Sequence, residues 1–229
     1  MEVYVGTSGW LYLWNKGGSL EWYIRNSGLN AVELNMSFYR FPPQSAIRSW
    51  RARGSGLRWA IKVNRMITHV FKFNERALSS WRGFRSLFDP MDQIIDFYLF
   101  QLPPSIKSSS MPKIEYFINS IGLGERFALE PRHISWFNNS EVVNWASRIG
   151  MTLVSVDSPD FPLEIFNTNG VVYVRMHGRI AWYSHHYTDE ELTEIKERVL
   201  GSDPKKVYVF FNNNTNMLEN AKRMLSLFK

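Results

Sequence analysis

The sequence predicts one α/β domain spanning residues 1–229, a single (β/α)8 TIM-type barrel, on three observations. Eight short apolar runs alternate with mostly helical connections, which is the pattern of a parallel sheet with crossovers. Eight such repeats within 229 residues fit a barrel slightly smaller than the usual ~250 residues. Polar and charged residues also recur at the C-terminal ends of the apolar runs, where barrel sites are built. An open doubly wound sheet is the rival arrangement of the same elements.

In chain order, Val3 to Ser8 reads as a buried strand leading into a Gly/Trp/Tyr loop. Ser19 to Ser27 makes a short helix with Ser19 as N-cap and Glu21 in its first turn. Asn30 to Asn35 is the second strand, and Gln44 to Arg53 a helix following Pro42-Pro43. Gly54-Ser55-Gly56 turns the chain into strand three, Leu57 to Val63. A polar loop through His69 precedes a helix over Asn74 to Phe88, and Ile94 to Leu102 is strand four, stopped by Pro103-Pro104. Pro112 opens a helix to about Ile121, closed by Gly122-Leu123-Gly124. Strand five is the Phe127-Ala128-Leu129-Glu130 run, with Pro131 marking its end because proline cannot donate to a ladder. Asn139 to Ile149 is a helix ended by Gly150, and Met151 to Val156 is strand six. Pro159 to Gly170 is only weakly periodic, so any helix there is short. Val171 to Met176 is strand seven, Thr188 to about Leu200 a helix with an N-cap and first-turn acids, Val207 to Phe211 strand eight, and Asn216 to Phe228 a closing helix.

Composition narrows the chemistry. With no cysteine the chain has no disulfide, thiolate nucleophile or cysteine metal site. No basic-then-apolar leader is visible at MEVYVGTSGW and no apolar run approaches the ~20 residues that span a bilayer. A cytoplasmic protein with no membrane partner is expected. The net charge of +6 favours anionic partners, a small molecule or a nucleic acid. Against a nucleic-acid surface, Lys and Arg are scattered, with the densest spots at Trp50-Arg51-Ala52-Arg53 and Pro204-Lys205-Lys206. Oligomeric state is left open.

The strand ends carry the functional reading. Strand two ends in Glu33 and Asn35, three in Lys62, four in Gln101, five in Glu130 and Arg132, six in Asp157, seven in Arg175 and His177, and eight in Asn212. Side chains on a strand alternate between faces. Tyr173, Arg175 and His177 therefore share one face, as do Tyr208, Phe210 and Asn212, whereas Val172 and Val174 take the other. In a parallel barrel the outer face packs on helices, so the polar-ended parity points inward. A lone buried Glu-Arg pair would be a satisfied ion pair and nothing more. Seven strands ending this way describe a polar pocket.

The motifs GTSGW at 6–10, VELNMSFYRFP at 32–42, IKVNRMITH at 61–69 and FQLPPS at 100–105 are followed in order by four others. These are LEPRHISW at 129–136, VDSPDFP at 156–162, YVRMHG at 173–178 and VFFNNN at 209–214. Together they resemble the YecE-like family, domain of unknown function 72. The resemblance implies a TIM-type barrel and no particular reaction. Two departures stand out: Asn15-Lys16-Gly17-Gly18 replaces the aromatic-Pro element that usually follows the first motif, and Pro131 replaces an aromatic between Glu and Arg.

The residue types suggest three functions. The first is a hydrolase or lyase acting on an anionic, phosphate-bearing sugar or nucleic-acid substrate. Glu130 or Glu33 would be the general base and His177 the acid, with Arg132, Arg175 and Lys62 clamping the anion. Asn35, His69, Gln101, Asp157, Asn212 and Trp10 would complete the binding surface. The second is a non-catalytic nucleic-acid-binding protein. The third is a glycoside-active enzyme using Glu33 and Glu130 as a carboxylate pair, although paired acids beside arginines would stay ionised. No cofactor is predicted. A divalent metal on Glu33, Glu130, Asp157 and His177 is chemically feasible, but three cations at the same mouth oppose it. Trp182, Tyr183, His185, His186 and Tyr187 read as a covering loop, and Gly178 as room for a ligand beside His177.

Overall fold

The structure, a computed structural model covering residues 1–229, is a closed barrel of eight parallel strands in sequential order. The strands are β1 Glu2–Ser8, β2 Ala31–Leu34, β3 Arg58–Lys62 and β4 Ile95–Gln101, then β5 Phe127–Glu130, β6 Thr152–Asp157, β7 Val171–Met176 and β8 Lys206–Phe211. The helices are α1 Leu20–Asn26, α2 Gln44–Arg53, α3 Glu75–Leu87, α4 Met111–Ile121, α5 Ser140–Ile149, α6 Asp189–Gly201 and α7 Met217–Leu227. The expected N-caps Ser19 and Thr188 are present, and Asn74 and Asn139 cap α3 and α5 in the same way, each side chain accepting from a first-turn backbone N–H. Closure of β1 onto β8, with Val3 opposite Val207 and Thr7 opposite Phe211, removes the sheet edges and excludes the open doubly wound alternative. No helix is long and apolar enough to cross a membrane.

The β6–β7 connection holds no helix at all. Ser155 accepts from the Phe166 N–H at 2.8 Å, and Phe161 and Phe166 stack toward Phe137 at 4.9 and 6.1 Å. This extended segment covers the sheet with apolar side chains where a helix otherwise would.

Small residues on some strands make room for large ones on others. Gly6, Ala31, Ala60 and Ala128 belong to the inward face, which is filled by Phe97, Tyr173, Tyr208 and Phe210. The aromatic rings pack edge to face, Phe97 with Tyr208 at 4.8 Å and with Tyr173 at 5.3 Å. This apolar plug closes the barrel below its C-terminal mouth. The tyrosine hydroxyl at its top, that of Tyr173, is the first polar atom of the layer above.

Candidate functional site at the barrel mouth

Directly above the plug lies a layer of fully buried charge. Arg175 on β7 bridges both glutamates: Nε donates to Glu33 Oε2 at 2.9 Å, Nη2 to Glu33 Oε1 at 2.5 Å and Nη1 to Glu130 Oε2 at 2.6 Å. All three side chains have no exposed surface. Tyr173 Oη donates to Glu33 Oε2 at 2.7 Å. Ser8 Oγ donates to Glu33 Oε1 and accepts from Arg175 Nη2 at 3.0 Å. Glu130 is held further by Arg132 at 2.5 Å and by the Gln101 amide, whose Nε2 lies 3.1 and 3.2 Å from the two oxygens. Burial alone would raise the Glu130 pKa, but Arg132 and Arg175 overcome it and hold the carboxyl well below its usual range.

His177 Nε2 lies 3.0 Å from Arg132 Nη2 and 3.2 Å from Arg175 Nη1. Guanidinium and amide nitrogens only donate, so both ring nitrogens face donors, Nδ1 standing 3.3 Å from Asn212 Nδ2, while Nε2 also lies 3.3 Å from the carboxylate oxygen Glu130 Oε1. Burial first, then the two arginine charges, pull the His177 pKa well below its ordinary value. The shift favours the neutral imidazole, which does not suit the proton-donor role expected from sequence.

Lys62 differs from its neighbours. It is 5% exposed, its ammonium makes no ion pair, and Nζ stands over the Phe38 ring at 4.2 Å from the centroid. Burial, then the Arg175 charge, bring its pKa down to about 7. The amine faces a cleft of about 340 Å³ shared with Tyr12, Asn35, Tyr39, Tyr183, Asn212 and Asn214. Asn35 makes no side-chain bond and its Oδ1 is buried without a partner.

The structure thus brings together Glu33, Lys62, Gln101, Glu130, Arg132, Arg175, His177 and Asn212, with Asn35 on the cleft wall. Of the other expected members Asp157 points away, while His69 and Trp10 stand at the edge of the site. Asp157 has the parity of Ser155, not that of inward-facing Val154 and Val156, so its carboxylate meets Arg179 Nε at 3.1 Å on the outer side of the strand. His69 sits at the rim, edge-on to Phe38 at 5.0 Å, with Nδ1 2.8 Å from Thr68 Oγ1. Burial, then Lys62, lowers its pKa to about 4. Trp10 is 6% exposed and packs edge-on against Trp50 and Trp59 at 5.8 Å, and the surface it keeps lines the cleft between the loops that follow β1 and β2.

Other expectations change as well. The four-residue metal set is not assembled, because Asp157 faces away and the Glu33 and Glu130 oxygens are occupied by Arg and Tyr donors. No three His, Cys, Asp or Glu side chains are grouped to hold a metal ion. Arg175 is not a free anion clamp, since both carboxylates consume it. Gly178 makes room for the protein itself: a Cβ there would lie 2.6 Å from the Ala181 carbonyl oxygen and 2.7 Å from the His185 Cβ, and its φ of +112° disfavours any other residue.

The covering loop is real but divided. Trp182 and Tyr183 approach the His177 ring at 5.2 and 5.5 Å, and the Arg132 guanidinium stacks on Trp182 at 4.4 Å. His185 instead turns to Glu191 at 2.9 Å, and His186 is exposed. Ser8, Tyr12 and Tyr39 are members that sequence reasoning missed, and Tyr173, placed on the inward face, was given no role. Ser8 shares its parity with Gly6, and Tyr173 with Arg175, so strand alternation was the available signal.

A solved DUF72 family protein from Thermotoga maritima is 28% identical, with a TM-score of 0.83 over 100% of this chain and 99% of that one. Another from Enterococcus faecalis is 21% identical, with a TM-score of 0.83 over 98% and 94%. A D-psicose 3-epimerase shares the fold alone, at 13% identity and a TM-score of 0.57 over 99% and 98%. The curated proteins contain no match. The description "Protein of unknown function DUF72" matches residues 4–229 of this sequence, a span that includes every residue of the mouth, and the chain belongs to that family.

Proposed function

We propose that the protein is an enzyme, a hydrolase or lyase, acting on a small anionic substrate held in the cleft above Lys62. One observation carries this reading. The buried layer contains three cations, Lys62, Arg132 and Arg175, against two carboxylates, Glu33 and Glu130, and both carboxylates are taken by the arginines. Lys62 is left without a counter-ion beside a ligand-sized space. A buried charge without a partner is unfavourable, so the amine either gives up its proton or accepts an anion from outside. A carboxylate or phosphate would restore the ammonium.

The roles then differ from those expected from sequence. Glu33, Arg175, Glu130, Tyr173 and Ser8 form a rigid floor whose hydrogen bonds are already used. That does not suit a glycosidase, in which one carboxyl must carry a proton. Lys62 takes the proton-transfer role, because the proton it takes up with the anion then stands beside the substrate. His177 positions Asn212, and the cleft amides and tyrosines supply neutral donors. Enclosure favours a small molecule over a nucleic-acid duplex spread across the surface.

Calorimetric titration with inorganic phosphate tests this. Binding at pH 8 should be accompanied by proton uptake, survive moderate salt, and disappear in Lys62→Met. Equal affinity in the wild type and in Lys62→Met, or affinity that collapses with salt as surface phosphate binding does, would refute it.

A further inference from the structure

A second cleft adjoins the one over Lys62. It is about 240 Å³ and lies between the loops that follow β1 and β2. Its walls are apolar: Trp10, Leu11, Leu34 and Met36. Tyr12, Asn35 and Tyr39 line both clefts, so the two spaces lie side by side along these residues. The polar end holds one uncompensated amine, the apolar end carries no charged group, and the shared wall presents the buried, unpartnered Oδ1 of Asn35. The Tyr12 hydroxyl is already engaged, donating to the Ser8 carbonyl at 3.1 Å. Asn35 and the Tyr39 hydroxyl, which makes no hydrogen bond and belongs to a residue 67% exposed, are therefore the hydrogen-bonding groups left open at the junction, and of the two only the Asn35 oxygen is shut off from water.

We infer that the mouth binds an amphipathic anion: a carboxylate or phosphate at Lys62, a hydroxyl or amine donor at Asn35, and a flat apolar group against Trp10, Leu11 and Met36. Each part answers an unmet requirement of the protein. The anion neutralises a buried cation, the donor satisfies a buried acceptor, and the apolar group removes from water a patch that includes Leu11, 66% exposed. A purely polar sugar phosphate would meet the first two and leave the apolar space to water. Pockets of this kind, mostly apolar with a few placed polar groups, are typical of small-molecule sites.

The inference rests on the proposed anion at Lys62, and three carboxylates separate the two ideas. Acetate carries only the charge, 3-phenylpropanoate adds the ring, and 3-phenyllactate adds a hydroxyl between them. Affinities from calorimetry or ligand-observed NMR should rise at least tenfold from acetate to phenylpropanoate and at least threefold more to phenyllactate. Replacing Leu11 and Met36 together by serine should remove most of the first gain and leave acetate unaffected. Asn35→Ala should remove the second gain alone, and Lys62→Met should weaken all three. Circular dichroism and melting curves confirm that each variant is folded. If acetate and phenylpropanoate bind equally, the apolar subsite is overturned and the anion site stands. Ring-dependent binding undiminished in Lys62→Met, or binding of none of the three, overturns both.

Discussion

Removing the Lys62 amine should stabilise the fold, and the gain should depend on pH in a defined way. A lysine ordinarily titrates at 10.5, whereas burial and then the Arg175 charge bring Lys62 to about 7. The unfolded chain therefore keeps this proton up to about pH 10.5 and the folded chain only to about pH 7. Between those values the unfolded state binds more protons, so stability rises with pH across that window and the penalty is largest below it. At ~1.4 kcal/mol per decade of proton activity, the gap corresponds to about 5 kcal/mol below pH 7. The Phe38 ring beneath Nζ returns about 0.5–2 kcal/mol of that as a cation–π contact. Lys62→Met keeps the apolar stem and removes the charge. Urea titrations at half-unit steps from pH 6 to pH 10.5 should show the variant more stable by about 3–5 kcal/mol at pH 6. The two curves should converge as pH approaches 10.5. A variant less stable than the wild type at pH 6, or a difference that does not change with pH, would refute the claim that this amine is buried without a counter-ion.

The floor should behave oppositely. Arg175→Met leaves Glu33 and Glu130 buried without their main partner and should cost about 3–5 kcal/mol by urea denaturation at pH 7, whereas Tyr173→Phe removes one hydrogen bond to a charged group and should cost about 1.5–3 kcal/mol. Nitrogen-15 NMR of the imidazoles should find His177 neutral at pH 7, with its protonation step moved below the ordinary histidine range, since burial and then the Arg132 and Arg175 charges depress its pKa; an imidazolium at pH 7 would contradict the burial and the flanking guanidinium charges. Gly178→Ala, which puts a Cβ against the Ala181 carbonyl oxygen at a φ of +112°, should lower the melting temperature and raise proteolysis in the 178–187 loop, at a cost of about 1–3 kcal/mol.

Strand alternation made much of this site legible before any coordinates. It placed Glu33, Lys62, Gln101, Glu130, Arg175, His177 and Asn212 on the inward face, because a strand's period of two leaves no freedom once one face is apolar. The same rule, applied to Val154 and Val156, would have turned Asp157 outward. The weak periodicity of the Pro- and Asn-rich segment before β7 announced at most a short helix there, and none forms. Which cation meets which carboxylate was not legible. Glu33 and Arg175 are 142 residues apart in sequence, and their pairing follows from barrel closure and from the volume left above the plug.

The number of charges at the mouth was therefore a property of the sequence, and their allocation a property of the tertiary structure. Arg175 reaches both glutamates, and Arg132 adds a second cation to Glu130. Lys62, one of three similar cations on paper, becomes the unpaired one because hydrogen-bonding capacity is finite and directional. Burial then makes the remaining charge costly, and the adjoining loops decide what space it faces.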